Sequence, residues 1–246
     1  MDRFIGILGV IVILWIAYLF SENKKKINWR LVATGLGLQI IFALIILKVP
    51  FGRKAFEAAS GFITRILDFT AEGTTFLFGN LTDQATFGSI FALNVLPTII
   101  FFSALMGILY YLGIMQAIVK FIAKGICKLL GTSGAETLSA VGNIFLGQTE
   151  APLLIKPYVE KLTESELFTV MVGGLASVSG SILVGYSLLG IPIEYLVSAS
   201  FMSAPAGLIM SKIIIPELKQ AKVNDQIEMV KDDSANVVDA AAKGAI

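Results

Sequence analysis

Five apolar runs, each close to the length that crosses a lipid bilayer, limit what this chain can fold into. They occupy about residues 4–20, 31–49, 87–112, 165–190 and 193–215. A transmembrane helix needs about 20 mostly apolar residues, whereas nothing shows the alternating segments of a membrane β-barrel. With 56% hydrophobic residues, the chain is also more apolar than an average soluble domain. The sequence therefore predicts an all-α polytopic membrane protein with five transmembrane helices.

Basic residues beside these runs predict how the chain is oriented. Lys24–Lys26 and Arg30 follow the first run, and cytoplasmic loops carry an excess of lysine and arginine. We therefore expect the N-terminus to lie outside the cell. A secretory signal peptide carries its basic residues before its apolar region, so we interpret the first run as a retained helix.

Two further segments are amphipathic. In residues 53–80 and in residues 113–131, apolar and polar side chains fall on opposite faces of a helix. Such helices lie in the membrane interface; we expect the first at the extracytoplasmic surface and the second at the cytoplasmic surface. The polar face of the second repeats every four residues: Gln116, Lys120, Lys124 and Lys128. A solvated face is the simpler use of these lysines, and a lipid-specific role is the alternative.

A polar island interrupts the apolar sequence between residues 141 and 154. It holds Asn143, Gln148, Thr149 and Glu150, framed by glycine and proline. A carboxylate at bilayer depth is costly and therefore marks a functional site. Irregular backbone is tolerated in a membrane only where protein buries it or it lines a cavity. The island therefore predicts a binding site for a polar solute.

The two sides of this island are each too short to cross a bilayer. They cover residues 136–147 and 152–158, compared with the about 20 residues that a crossing helix needs. Four helix-breaking residues also oppose a continuous helix: Gly142, Gly147, Pro152 and Pro157. We therefore predict a re-entrant helical hairpin over residues 133–160, which enters from the cytoplasm and returns there.

The side chains of the island suit a heterocyclic base better than an anion. Gln148 offers both a hydrogen-bond donor and an acceptor, whereas an ionised Glu150 only accepts. The alternative is structural. Pro152 suits the first turn of a helix, and Thr149 or Glu150 would then stand where a cap belongs.

A cation site is predicted where the first half of the hairpin ends. Carbonyl groups of residues 143–146 would point toward Ser177 and Val178, in a run rich in glycine and serine. Small residues allow close helix packing in lipid, and carbonyls at the end of a broken helix suit Na+. Ser177 as a packing residue is an equal alternative.

Composition excludes several other classes of function. The net charge of +1 and the absence of histidine give no sign of a nucleic-acid partner or of histidine metal sites. A single cysteine, Cys127, excludes an intrachain disulfide. No nucleophile and base stand at a recognisable spacing, so we do not expect an enzyme.

Three motifs resemble the first re-entrant hairpin of the concentrative nucleoside transporters. They are Gly142-Asn143, Gly147-Gln148-Thr149-Glu150-Ala151-Pro152-Leu153 and Pro157-Tyr158. Residues 173–180 resemble the next helix of that family. The resemblance implies nucleoside uptake across the bacterial cytoplasmic membrane by a homotrimer with elevator-type alternating access. It implies Na+ as the coupling ion, or H+ in some bacterial members, and no other cofactor.

The resemblance also assigns roles to single residues. The substrate-binding residues would be Gln148, Thr149, Glu150 and Ile182, the last beside the base. The residues around Na+, mostly through backbone carbonyls, would be Asn143, Leu146, Ser177 and Val178.

The same resemblance divides the chain into parts. Residues 1–112 would be a scaffold part and residues 113–215 a transport part with spans 165–190 and 193–215. Residues 216–246 would be a polar cytoplasmic linker and the start of a further helix. Family members have a second half that is not in this sequence, so we expect an amino-terminal part of a transporter. The alternative is a truncated membrane scaffold or assembly subunit that does not transport.

Overall fold

The computed structural model describes residues 2–47, 49–88, 90–148, 150–219 and 233–246. Within these ranges the regular structure is helical, with no strand. The α-helices of the first part are α1 (Asp2–Leu19), α2 (Trp29–Leu47), α3 (Pro50–Phe78), α4 (Gln84–Phe87), α5 (Phe91–Asn94) and α6 (Leu96–Tyr111). Those of the second part are α7 (Ile114–Leu130), α8 (Gly134–Gly142), α9 (Glu164–Ala176), α10 (Gly180–Leu188), α11 (Ile193–Ile214) and α12 (Val237–Ala245). A 3-10 helix, Ala151–Lys161, follows α8.

Three of the predicted spans coincide with helices that are long and apolar enough to cross a membrane. These are Trp29–Ile46, Phe91–Tyr111 and Ile193–Ile214, the second of which joins α5 and α6 through the single residue Val95. Ile5–Leu19 is a shorter apolar helix. The predicted span 165–190 is different, because α9 and α10 are separate helices. An all-helical fold agrees with the sequence prediction, and the number of five membrane crossings stays a prediction.

The two predicted amphipathic segments are both helices. Helix α3 begins at Pro50, whose missing N–H costs nothing in a first turn. Helix α7 lies between Gly113 and Gly131, whose φ angles of +78° and +69° fall in the left-handed region that glycine adopts without strain. These two glycines set the ends of α7 and turn the chain sharply at both.

The core is centred on α8. Every residue from Ala135 to Gly142 is buried, and α8 packs against α7, α9, α11 and the 3-10 helix. Helix α11 also packs closely on α2, because a Cβ atom on Gly35 would lie only 2.6 Å from Cγ1 of Ile209. The polar island at the end of α8 is therefore held by the most buried helix of the described chain.

Helices α6 and α12 approach each other at the level of their backbones. A Cβ atom on Gly107 would lie 2.6 Å from the carbonyl oxygen of Ala240, and one on Gly244 would lie 2.6 Å from that of Ser103. Small residues permit such contacts between helices in lipid. The two glycines therefore fix α12 on α6.

Candidate functional site

The helix is interrupted within the polar island, where the sequence predicts an interruption. Helix α8 ends at Gly142, residues 143–148 form turns, and the 3-10 helix begins at Ala151. A Cβ atom on Gly142 would lie 2.7 Å from Cδ1 of Leu154, so glycine allows the two halves to pack together. The two halves form a compact helical hairpin, and its re-entry into a membrane stays a prediction.

A second interruption separates α9 from α10. Ser177 has an extended backbone, with φ −119° and ψ 165°. Ser179 then starts α10, because its side-chain oxygen accepts a hydrogen bond from the amide of Ile182 at 3.4 Å. Serine favours helix caps over helix interiors, since its hydroxyl competes for backbone hydrogen bonds. The span that the sequence predicts over residues 165–190 is therefore divided into two helices, and this break was not predicted.

The two interruptions lie against each other. The amide of Gly180 donates a hydrogen bond to the carbonyl oxygen of Phe145 at 3.3 Å. A Cβ atom on Gly174 would lie 3.4 Å from Cβ of Gln148, and one on Gly173 would lie 3.3 Å from Nδ2 of Asn143. Gly173 and Gly174 of α9 therefore allow the hairpin turn to lie close to α9, as the small residues in this part of the sequence predict.

Two of the predicted cation ligands meet at Gly173. The fully buried Asn143 contacts this glycine, and the hydroxyl of Ser177 donates to its carbonyl oxygen at 2.7 Å. Nδ2 of Asn143 donates to the carbonyl of Ser139 at 3.1 Å, whereas its Oδ1 accepts no hydrogen bond from the described residues. A buried acceptor without a donor is unfavourable. A cation would satisfy it.

The other two predicted cation ligands are near the same breaks. Leu146 is buried in the hairpin turn, next to Phe145. Val178 is exposed, between α9 and α10, and its carbonyl accepts a 3.4 Å hydrogen bond from Ser200 of α11. All four residues thus border the contact between the two interruptions.

Three of the four predicted substrate residues lie within the described part of the chain. Gln148 and Glu150 are exposed, so Glu150 is not enclosed as a carboxylate at bilayer depth would be. Ile182, in the first turn of α10, is also exposed. Thr149 lies outside the described residues.

Glu150 occupies the cap position of the 3-10 helix but does not act as its cap. Its side chain makes no capping hydrogen bond. Instead, Oε2 accepts a hydrogen bond from the amide of Gly147 and closes the turn between the two halves. No described residue donates to the other carboxylate oxygen, which can therefore accept a further hydrogen bond.

A cavity of about 260 Å³ lies beside Glu150. Its wall combines the hairpin with α6 and α12: Met106, Tyr110, Phe145, Gly147, Glu150 and Lys243. Lys243 pairs with Asp233 at 2.8 Å, and this hydrogen bond lowers the pKa of the Asp233 carboxyl from its ordinary value. Sequence analysis missed the residues of α6 and α12. No sequence pattern indicates that these helices lie next to the hairpin.

A buried ionic cluster supports the hairpin from the other end. Nζ of Lys212 in α11 lies 2.7 Å from Oε2 of Glu136, 3.3 Å from Glu217 and 2.9 Å from the hydroxyl of Ser165. Glu136 also accepts a 2.8 Å hydrogen bond from the amide of Ser133, which starts α8. The start of α8 was recognisable in the sequence, since Ser133-x-x-Glu136 is a capping box.

Interrupted helices that meet inside a helical membrane protein are the arrangement in which secondary transporters bind substrate and ions. Three family descriptions match consecutive parts of the chain. Residues 8–81 match "Na+ dependent nucleoside transporter N-terminus", residues 92–192 match "Nucleoside recognition", and residues 195–246 match "Na+ dependent nucleoside transporter C-terminus". The chain belongs to the concentrative, Na+-dependent nucleoside transporter family, as the hairpin motifs predict. That family consists of transporters rather than enzymes.

Individual relatives agree with this family. "Uncharacterized transporter YutK" of Bacillus subtilis is 51% identical over 242 residues, which are 98% of this chain and 60% of YutK. "Nucleoside permease NupC" of Helicobacter pylori is 43% identical over 245 residues, 98% of this chain and 58% of NupC. The structure of CNTnw in an inward-facing substrate-bound state has 46% identity and a TM-score of 0.93, and covers 100% of this chain and 61% of CNTnw. The chain thus spans about three fifths of these relatives.

Proposed function

We propose that this chain acts in a secondary active transporter that imports nucleosides across the bacterial cytoplasmic membrane, driven by a Na+ gradient. The main support for this function is the hydrogen bond between Phe145 and Gly180. It holds together the two helix interruptions, which contain the proposed substrate and ion residues. Membership of the family supports the nucleoside and the sodium ion. The name of the Helicobacter pylori relative supports the same substrate class.

The hairpin turn would bind the nucleobase. The amide of Gln148 offers a donor and an acceptor, and Glu150 offers an acceptor beside it. Both side chains are exposed next to each other in the turn. Thr149 would add a hydroxyl group, and the exposed Ile182 would supply an apolar surface for the base.

Na+ would bind where the buried Oδ1 of Asn143 accepts no hydrogen bond from the described chain. The hydroxyl of Ser177 and the carbonyls of Leu146 and Val178 would complete a set of neutral oxygen ligands. None of these four residues has a titratable side chain. Proton coupling would need a group that titrates, so the ligand set favours Na+ over H+.

Transport would follow an elevator-type mechanism in a homotrimer, with residues 1–112 as the scaffold part and residues 113–215 as the transport part. The close contact of Gly35 with Ile209 joins α2 to α11 across this boundary. The N-terminus would lie outside, and residues 216–246 would be a cytoplasmic linker followed by the start of a further helix.

Nucleoside uptake by cells that express the full-length protein tests this function. We expect Gln148→Ala and Glu150→Gln each to raise the KM for a nucleoside by about tenfold, because each loses a hydrogen bond to the base, and a loss of about 1.4 kcal/mol corresponds to tenfold. Gln84→Ala, outside the proposed site, is the control and should leave the KM unchanged. Wild-type uptake in both site variants would reject the assignment of these residues.

A further inference from the structure

Helix α7 has three faces instead of the two of an ordinary amphipathic helix. The first is buried in the core: Met115, Val119, Ala123, Ile126 and Leu130. The second is apolar and exposed: Ile114, Ile118, Phe121 and Leu129. The third carries three exposed lysines: Lys120, Lys124 and Lys128. At about 100° per residue, the lysine face lies directly beside the exposed apolar face.

The position of α7 places it at a membrane surface. The apolar stretch Phe91–Tyr111 is long enough to cross a bilayer, and α7 begins three residues later, at Ile114. Gly113 turns the chain between them with a φ of +78°. A helix with one apolar and one cationic face that starts where a span ends lies in the interface. Phe121, which is 82% exposed, would then enter the lipid.

The lysine face forms one wall of a groove of about 530 Å³. We call it the lysine groove; it is lined by Lys120, Ala123, Lys124, Cys127, Lys128, Gly131, Thr132, Gly134 and Leu138. In the part of the chain that the structure describes, none of the three lysines forms an ion pair or a side-chain hydrogen bond. The groove therefore combines three uncompensated positive charges with an apolar floor.

We infer that the lysine groove binds the phosphate headgroup of an anionic phospholipid, whose acyl chains lie along Phe121 and Leu129. Lysine ammonium groups bind phosphate through short, charge-assisted hydrogen bonds. Three lysines on successive turns face one groove, so that they can share one anion. The adjoining exposed apolar face favours a lipid over a free phosphate ion, because free phosphate would gain nothing from it.

Quenching of a tryptophan at position 121 tests this inference. The 246 residues hold two tryptophans. The reporter is therefore the full-length protein with Trp15→Phe, Trp29→Phe and Phe121→Trp, in which any tryptophan beyond residue 246 is also replaced by phenylalanine. It is reconstituted in phosphatidylcholine vesicles that contain either brominated phosphatidylglycerol or brominated phosphatidylcholine. We expect phosphatidylglycerol to quench at a mole fraction about fivefold lower, the factor that one lysine supplies near an anionic surface.

Substitutions distinguish a built site from general attraction to negative lipid. Lys120→Gln, Lys124→Gln and Lys128→Gln together should abolish the preference, and the corresponding arginine variants should keep it. The matched control removes the same charge elsewhere, with Lys24→Gln, Lys25→Gln and Lys26→Gln, and should also keep it. An unchanged preference in the first variant would overturn the inference. So would an equal loss in the control variant.

A competition experiment separates the two sources of phosphate. Inorganic phosphate is added to the vesicles at constant ionic strength, since added salt alone would screen the lysines. We expect the preference for phosphatidylglycerol to persist. Displacement of the lipid by inorganic phosphate, with no displacement by chloride at the same ionic strength, would assign the groove to a soluble phosphate and overturn the inference. Elution as one symmetric peak in gel filtration confirms that each variant is folded.

Discussion

The amide nitrogen of Gly180 lies 3.3 Å from the carbonyl oxygen of Phe145 and donates a hydrogen bond to it. Phe145 stands in the turn of the hairpin, and Gly180 begins α10 after the neighbouring interruption. Each interruption leaves backbone groups that its own helix does not pair. Here the amide of one interruption satisfies the carbonyl of the other, so each interruption stabilises the other.

A side chain at position 180 should separate them. A Cβ atom on Gly180 would lie 2.8 Å from the Phe145 carbonyl oxygen, so Gly180→Ala forces the backbone to shift. Overpacking of this kind costs about 1–3 kcal/mol. We expect a lower melting temperature of the purified protein, together with lower nucleoside uptake.

Gly37→Ala is the matched control for this substitution. Gly37 lies inside α2, and a Cβ atom there would meet no atom within 4 Å. Alanine in a helix interior is about 0.5–1 kcal/mol more favourable than glycine, so this variant should melt at the same or a higher temperature. Equal melting temperatures for Gly180→Ala and the wild type would contradict the proposed contact.

Replacement of Asn143 should act on the ion rather than on the nucleoside. Asn143→Leu removes the buried Oδ1 that accepts no hydrogen bond within the described ranges. We expect the Na+ concentration for half-maximal uptake to rise by about tenfold or more, the factor that corresponds to one lost ligand of about 1.4 kcal/mol. The measurement is initial uptake as a function of Na+, at a saturating nucleoside concentration.

Asn80→Leu, at an exposed position, is the control and should leave the Na+ dependence unchanged. If uptake by the wild type responded to a proton gradient and not to Na+, the assignment of Asn143 and Ser177 would fail.

Loss of the buried lysine should be more harmful than loss of its whole ion pair. The side chains of Lys212 and Glu136 are only 6% and 2% exposed. Lys212→Met leaves a buried carboxylate without its cation, which costs about 3–5 kcal/mol. We expect Lys212→Met with Glu136→Gln to recover part of this stability, as measured by the melting temperatures in a double-mutant cycle.

Lys243→Met provides the comparison. Lys243 also pairs with a carboxylate, Asp233, but its side chain is 48% exposed. An exposed pair contributes about 1 kcal/mol or less, so the melting temperature should change little. A larger effect at position 243 than at position 212 would contradict the importance of the buried cluster.

The close approach of α6 and α12 can also be tested. Gly107→Leu would place a side chain where the backbone of Ala240 and Gly244 now lies. We expect α12 to separate from α6, which should make α12 accessible to protease. Gly6→Leu, with open space around it, should leave the digestion pattern unchanged. Resistance of the Gly107→Leu protein equal to that of the wild type would contradict the backbone contact.

Local signals made much of this fold predictable. Gly113 and Gly131 set the ends of α7 with left-handed φ angles, and Gly142 is the last residue of α8, because glycine weakens helices. The interruption in the hairpin was predictable for the same reason. The interruption at Ser177 was missed, because a run of apolar and small residues fits both a continuous and a broken helix.

Contacts between distant parts of the chain were not predictable. Lys212 has the same local surroundings as any lysine near the end of an apolar helix, and only the fold brings it to Glu136. Lys243 and Glu150, which line the same cavity, are likewise brought together only by the fold. Such contacts depend on how the helices pack against each other, and no short sequence pattern specifies that packing.

The glycine contact between α6 and α12 has a consequence for biosynthesis. Helix α6 leaves the ribosome long before α12, yet the strip around Gly107 is shaped to receive the backbone of α12. Until α12 is made, that strip lacks the backbone that fills it in the folded chain. The bundle therefore becomes complete at Gly107 only when the last described helix docks, late in synthesis.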